Sequence, residues 1–589
     1  MSPRRSAALA LVWLVACSGH GPAGPVADRP PPADPPPAAT PPITTGPTLA
    51  LGVAHTCALR GDTVHCWGYG GRGERERAAA VRAALAAGAP TPRVAIIGAG
   101  AAGLCMAIRL RDAGIDSFTI YEKSDGVGGT WRDNTYPGAA CDVPSHLYSF
   151  SFASKRDWTR RFAGQPEILG YFESLVDRFD LSGHLRLGTE VTEAHYDDAT
   201  GTWTLRTATS DGEPSEGTAA GTVVADVVVS GLGQLNRPYV PDIPGLDAFV
   251  EGGGTVFHSA RWDHGHDLSE DRVGVVGIGA SAIQFVPPVA ASAAHTTLFQ
   301  RSANYVGPRN DREFTPRERW IFENVPGAQK AYRESIYWRF EARFNVMRAG
   351  SRLGRWMQGQ FRKGLQPMVS ERLPEAALVP DYPVGCKRIL IADDWYPTLL
   401  RPDVDVVTSG IERIEDGAVL TDDGRRTPVD TLIFGTGFRS TEFLSPLKIT
   451  GRSGRDLNEV WVDGARAYMG LAVPGFPNLF MLYGPNTNLG HNSILFMIEQ
   501  QVGYTLRLIE EKVLLGLRSV EVSEGAASRF DTEVQAAADR TVWAEGCHSW
   551  YKNADGRITN NWTDHTTVYR RLLSSPDPSD WLLERAGSD

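Results

Sequence analysis

The chain has 589 residues, more than one ordinary hydrophobic core can serve, so two or three domains are expected. Apolar residues make up 42% and charged residues 22%, the balance of a globular protein with a sizeable core. With 59 basic against 69 acidic residues the net charge is −10 and no long basic block occurs, which argues against nucleic acid as a partner; no apolar run approaches the roughly 20 residues of a transmembrane helix.

Arg4 and Arg5 precede the apolar run Ala7–Ala16, which closes in Leu14-Val15-Ala16-Cys17. A charged start, an apolar middle and small residues before a cleavage point form the pattern of an export signal over residues 1–20. Its end resembles the lipobox of bacterial lipoproteins, which would put a lipid anchor on Cys17; a misassigned start is the alternative. Residues 21–47 are rich in Pro, Ala and Thr and read as an extended linker. In residues 48–73, alternating apolar residues flank Gly61-Asp62 as in a hairpin, and Cys57 and Cys66 could pair across it in an oxidising compartment. The segment resembles one blade unit of the regulator-of-chromosome-condensation β-propeller. One such unit cannot bury its own face, so it is expected as a fragment. None of the seven cysteines forms a C-x-x-C pair, so a redox dithiol of the disulfide-reductase kind has no support. A charged helical stretch, Glu74 to Ala87, leads into the main body, which begins near residue 91.

Val94–Ile97 is a short apolar run of the buried parallel-strand type. It feeds into Gly98-Ala-Gly100-Ala101-Ala102-Gly103, then an amphipathic helix ending at Gly114, then a second strand, Phe118 to Tyr121, followed by Glu122-Lys123. In this βαβ context Gly98 permits the tight turn, Gly100 lets backbone approach a pyrophosphate, and Gly103 allows close helix–strand packing. The helix N-terminus offers free N–H groups to phosphates, and Glu122 is placed to accept hydrogen bonds from ribose hydroxyls. This turn is expected to hold FAD.

The pattern recurs at Arg272-Val-Gly-Val-Val-Gly277-Ile-Gly279-Ala280-Ser281-Ala282. The next strand, Thr297 to Phe299, ends not in an acid but in Gln300-Arg301-Ser302. An arginine there suits a 2′-phosphate, so NADPH is expected over NADH. Pro287 and Pro288 should kink or end the helix that follows the turn.

Several stretches are more specific. Gly129-Thr130-Trp131-Arg-Asp-Asn-Thr-Tyr136-Pro137-Gly138-Ala-Ala-Cys-Asp142 resembles the Baeyer–Villiger monooxygenase pattern G-x-W-x(4)-[FY]-P-G-x(3)-D. Gly385-Cys386-Lys387-Arg388 resembles the same family's Gly-x-Lys-Arg segment. Phe434-Gly435-Thr436-Gly437 resembles a strand-end Ala-Thr-Gly turn with Gly435 in place of Ala. Gly484 to Ser493 resembles the helix start beside the flavin in the 4-hydroxyacetophenone-type branch, and Ser549-Trp550-Tyr551 a late segment contacting the nicotinamide cofactor. The resemblance runs from about residue 91 to about 575. One departure stands out: the fingerprint F-x-G-x(3)-H-x(3)-W-[PD] is met by Gly254, His258, Trp262 and Asp263, but Gly252 occupies the Phe position and the nearest phenylalanine is Phe249.

The resemblance implies an α/β protein of two Rossmann-like dinucleotide-binding domains, the NADPH domain inserted in the FAD domain. FAD would occupy 91–240 and 401–575, NADPH 241–400, with a helical insertion at about 310–380 covering the substrate pocket. It further implies that NADPH reduces FAD, that O2 gives a C4a-peroxyflavin, and that this inserts one oxygen into a small-molecule ketone. Arg388 would stabilise the peroxide, Asp142 would orient Arg388 near the nicotinamide, and Lys387 would meet the cofactor phosphate. Gly129, Thr130, Trp131, Tyr148, Val191, Gly437, Asn486 and Trp550 are carried over as further cofactor contacts; His258 is read as structural, lying on a loop. Asn492 and Ser493 are ordinary N-cap types before a helix Ile494 to Glu510. No metal site is expected. An N- or S-oxygenating flavin monooxygenase is the alternative with the same cofactors. A reading of another class is an exported lipoprotein with a binding role and an inert flavoprotein part. NADPH supply favours the cytoplasm; a real N-terminal signal would instead anchor the protein at a membrane.

Overall fold

The computed structural model describes residues 55–60, 63–68, 72–209, 221–547 and 549–585. The signal-like segment, Cys17 and the Pro-rich linker lie outside the described residues. The chain divides into two units at Arg77/Ala78. In the first, strands His55–Arg60 and Thr63–Gly68 form the expected antiparallel hairpin, with Cys57 opposite Cys66 in register.

Two five-stranded, all-parallel sheets organise the second unit. The first runs, from edge to edge, Leu479–Met481, Val227–Ser230, Val94–Ile97, Phe118–Tyr121, Leu185–Arg186. Every residue of Val94–Ile97 is buried, as a strand covered on both faces requires. The helix Ala101–Ala113 follows its turn and ends on Gly114, whose φ of 85° is the left-handed conformation that closes a helix at small cost. Against it packs the long helix Ile494–Leu515, and the shared core includes Leu104, Ile108, Leu495 and Ile498.

The second sheet runs Thr255–His258, Thr431–Phe434, Arg272–Val276, His295–Phe299, Val404–Val407. All its strands fall between Val227–Ser230 and Leu479–Met481 in the chain, so the segment that builds the second sheet is inserted into the one that builds the first. Two of them lie beyond residue 400, past the boundary expected from the sequence. Helices Pro316–Asn324, Ala328–Glu341 and Arg352–Leu365 form the insertion expected at about 310–380. Among the described residues no helix is long and apolar enough to cross a membrane.

Of the two outcomes expected for Pro287 and Pro288, a kink or an end, the end is not found: the helix continues from Ala282 to Ser292. Each proline removes one amide donor and so frees a carbonyl one turn back. The carbonyl that Pro288 leaves free belongs to Gln284, and Gly138 packs directly on it; a Cβ there would stand 2.6 Å from that oxygen. A neighbouring loop thus occupies the gap that the missing bond opens.

Candidate active site

The first turn is built by close backbone contacts. A Cβ on Gly103 would lie 1.9 Å from the Gly98 carbonyl, so only glycine lets helix and turn touch. Gly98 has φ 99° and faces Gly231 at the end of the adjacent strand. Gly100 is different: its nearest neighbour is the Gly129 Cα, 3.7 Å from a Cβ position, which leaves room for a ligand to approach the backbone. Glu122 is buried, one carboxylate oxygen accepting from the Ala99 amide at 2.7 Å and the other from the Ser124 amide at 2.9 Å. It ties the strand end to the turn, and each oxygen keeps a further lone pair for a ribose hydroxyl. Ala101 and Ala102 form the helix start, and Lys123 is exposed just beyond Glu122. This cradle fits the adenosine diphosphate half of FAD.

The second turn mirrors the first. Gly277 has φ 99° and faces Gly435, as Gly98 faces Gly231. Where the first unit has Gly103 the second has Ala282, and a Cβ on Gly435 would come within 3.0 Å of the Ala282 methyl. The glycine standing for the family's alanine at 435 therefore makes room for the methyl at 282. Gly279 and Ala280 are exposed at the helix start, and Ser281 precedes it.

Segments of both nucleotide-binding parts line one cavity of about 780 Å³. Gly277, Gly279, Ala280, Ser281 and Gly437 line its nucleotide side, with Arg301, Ser302 and Lys387. Lys387 Nζ donates to Ser302 Oγ at 2.8 Å and lies 4.5 Å over the Tyr382 ring. Burial lowers its pKa, and the positive charge of Arg301 adds to the effect despite Asp381. Two cations held together at a strand end, one partly desolvated, are relieved by an anion, and a 2′-phosphate supplies one.

Thr130, Trp131 and Tyr148 line the same cavity. Trp131 Nε1 donates to the Tyr148 hydroxyl at 3.0 Å and the rings meet edge to face. Gly129 (φ 52°) sets its backbone against Gly100, which brings this loop to the first turn. Gln284 fastens the same loop to the second unit: its Oε1 accepts from Tyr136 Oη at 3.0 Å, and its Nε2 donates to the Ala140 carbonyl at 3.0 Å.

Asp142 and Arg388 meet on the cavity wall, with Nη2 2.6 Å and Nε 2.9 Å from Asp142 Oδ2, while Nη1 donates to the Leu489 carbonyl at 3.2 Å. Asp142 raises the guanidinium's pKa further above its ordinary value, outweighing burial. Burial pushes the nearby Tyr551 phenol up to about 12, against the pull of Arg388. Trp550 lines the same cavity.

Val191 and Asn486 are not among the residues lining this cavity, whereas Asn492 is. Val191 is buried in the core around Tyr121 and Ala194, its backbone paired with Thr207. Asn486 donates its amide to the carbonyls of Ile558 and Asn561, linking two chain segments. Helix Ile494–Leu515 has Ser493 as its N-cap residue without a side-chain capping bond. Asn492 instead donates to buried Glu341 at 2.9 Å. His258 ends a strand and does not lie on a loop: its Nδ1 accepts from the Ala260 amide at 3.0 Å and caps the following turn. Phe249 reaches Gly254 from a short helix, its ring edge 2.4 Å from where a Cβ would stand, so an aromatic covers that glycine despite Gly252. Asn488 and Leu489, from the Gly484–Ser493 motif, also line the cavity, as do Gln284 and Tyr483, of which in the sequence only the chain neighbours carry a signal.

Two dinucleotide cradles, one lining a cavity and the other joined to it through the Gly129–Trp131 loop, suit an enzyme that passes electrons from one dinucleotide to another, and the fold thereby defines a flavin- and nicotinamide-dependent oxidoreductase. The chain belongs to the flavin-binding monooxygenase-like family, whose model matches residues 91–447. It is 41% identical over 496 residues to a Baeyer–Villiger monooxygenase of Streptomyces coelicolor, covering 84% of this chain and 93% of that protein. It is 40% identical over 502 residues to a Baeyer–Villiger monooxygenase of Pseudomonas aeruginosa, with the same coverage. Among solved structures it resembles the closed form of cyclohexanone monooxygenase (TM-score 0.73, 27% identity, 85% of this chain and 100% of that one). It also resembles an oxidized steroid monooxygenase bound to NADP (TM-score 0.72, 29% identity, 84% and 100%).

Proposed function

We propose that this protein is a Baeyer–Villiger monooxygenase that consumes NADPH and O2 and converts a ketone to an ester or lactone. The observation that carries the reading is the Arg388–Asp142 pair on the wall of a cavity shared by both nucleotide units. When bound, FAD reduced by NADPH would supply the electrons that activate O2, and O2 the oxygen atom transferred. Gly100, the helix start behind it and Glu122 would hold its adenosine diphosphate half, with Gly98 and Gly103 shaping the turn, and Trp131 and Tyr148 would line the space for its ring. Arg301, Ser302 and Lys387 would hold the 2′-phosphate of the nicotinamide dinucleotide.

Arg388 then keeps a fixed positive charge where negative charge develops on oxygen. A guanidinium cannot lose its proton near neutral pH, and Asp142 keeps it oriented and ionised. The Leu489 carbonyl fixes its third nitrogen. Trp550 lines the same cavity, and displacement of water there would strengthen the pull of that charge on the oxygen. The NADPH requirement favours a cytoplasmic setting.

Purified protein should be yellow, oxidise NADPH, and place label from 18O2 in the ester formed from a ketone panel. Oxygenation of amines or sulfides but no ketone would transfer the reading to the N- and S-oxygenating branch. Colourless protein that stays colourless with added FAD would end it.

A further inference from the structure

Cys386 and Cys547, separated by 161 residues, are joined as a disulfide with their Cα atoms 6.3 Å apart. Cys386 is the residue immediately before Lys387 and Arg388, and Cys547 stands three residues before Trp550. The bridge therefore ties the loop carrying both active-site cations to the segment that walls the same cavity. Its surroundings reinforce that tie. Trp543 Nε1 donates to the Gly385 carbonyl at 3.1 Å, and Val542 N donates to the Met347 carbonyl at 2.8 Å. At the far end the Trp550 carbonyl accepts from Asn560 Nδ2 at 2.9 Å. The loop's other side is held by Tyr382 Oη, which donates to Asn304 Oδ1 at 2.8 Å. Cys547 and Trp550 are thus each held in place, and the pin nearest the cations is covalent.

We propose that the Cys386–Cys547 disulfide is a positioning clamp that holds Lys387 and Arg388 in register with Trp550, so that opening it weakens binding of the nicotinamide dinucleotide and uncouples NADPH oxidation from oxygen transfer. The inference rests on the function proposed above. Opening needs a dithiol: the S–S bond breaks to two thiols while the dithiol is oxidised to its own disulfide. Disulfides in a reducing cytosol are usually transient or redox-sensing, so a clamp there would respond to thiol status.

The test compares the air-purified holoenzyme with the same protein treated with dithiothreitol, and with the Cys386→Ser/Cys547→Ser double variant, which needs no reductant to reach the buried sulfurs. Peptide mapping with thiol labelling reports the bond, calorimetry the NADP+ Kd, and peroxide release per NADPH the coupling. The expected result is a bridged native protein whose reduced form and serine variant both bind NADP+ roughly tenfold or more weakly and release mostly hydrogen peroxide, per FAD bound. The serine variant should not respond to dithiothreitol. A merely structural bridge would lower FAD content and Tm but leave coupling per bound FAD unchanged, and that outcome overturns the proposal. So does finding both cysteines as free thiols in protein purified in air. A native, bridged protein that binds no NADP+ at all sinks the functional reading itself, and the clamp with it; a coupled enzyme indifferent to reduction sinks only the clamp.

Discussion

Arg388 grips Asp142 from the side: two of its nitrogens share the single oxygen Oδ2, and the third points away to the Leu489 carbonyl. The carboxylate therefore sets the rotation of the guanidinium as well as balancing its charge. Arg388→Ala and Asp142→Ala should each retain FAD and still be reduced by NADPH. Ester formation should fall by roughly two to three orders of magnitude, the usual cost of losing one preorganised charge-stabilising group. Stopped-flow reduction alongside product analysis checks both halves; normal oxygenation in either variant removes that residue from the reaction.

The cation pair at the second turn predicts coenzyme choice. Arg301→Ala and Lys387→Ala each remove a charge-assisted contact to a 2′-phosphate, worth about 1.5–3 kcal/mol. The ratio of kcat/KM for NADPH to that for NADH should drop roughly tenfold or more, with NADH values little changed. An unaltered ratio would show that the phosphate lies elsewhere.

The first turn separates a packing glycine from a ligand glycine. Gly103→Ala would push a methyl to 1.9 Å from the Gly98 carbonyl, so the variant should be poorly folded and colourless. Gly100→Ala meets no protein atom closer than 3.7 Å, so it should fold with a circular dichroism spectrum like that of the parent, yet bind FAD poorly. Full flavin loading in Gly100→Ala would place the pyrophosphate away from this turn.

Buried Glu341 predicts acid behaviour. Burial alone would push its carboxyl up, but the His491 ring, the Thr566 hydroxyl, the Thr567 amide and the Asn492 amide outweigh it and hold the pKa at about 2. A carboxyl depressed on folding stabilises the fold above its unfolded pKa of about 4.5, and that stabilisation disappears as pH falls towards 2. Its size is on the order of 3 kcal/mol. Urea midpoints should therefore show Glu341→Gln well below the parent at pH 7, with the gap narrowing between pH 4.5 and 2. A gap independent of pH would mean that the ionised form is not what matters.

Local features of the sequence carry the fold far. Val94–Ile97 and Phe118–Tyr121 are legible to the residue because an apolar run, three glycines and an acid all lie within one βαβ unit. The Arg388–Asp142 pairing follows from motif position, and each partner sits in a segment with its own signature. What the sequence hides depends on distant chain. The bridge from Cys386 to Cys547 has no spacing to betray it. The helix through Pro287 and Pro288 survives because Gly138, from a different unit, covers the freed Gln284 carbonyl. Asn492 looks like a cap in sequence and becomes a partner of Glu341 only once the helical insertion folds over it. Second-sheet strands beyond residue 400 are hidden for the same reason: parallel neighbours are chosen by topology, not by adjacency.

The Gln284 amide holds the Tyr136–Ala140 loop with both its ends, and Gly138 sits flush on the same helix. For anyone building chimeras, the loop and that helix are therefore one cassette, although the chain separates them by more than a hundred residues. Exchanging the nicotinamide module of a relative while leaving residues 129–142 behind would graft a foreign helix onto a mismatched seat. The pair should travel together.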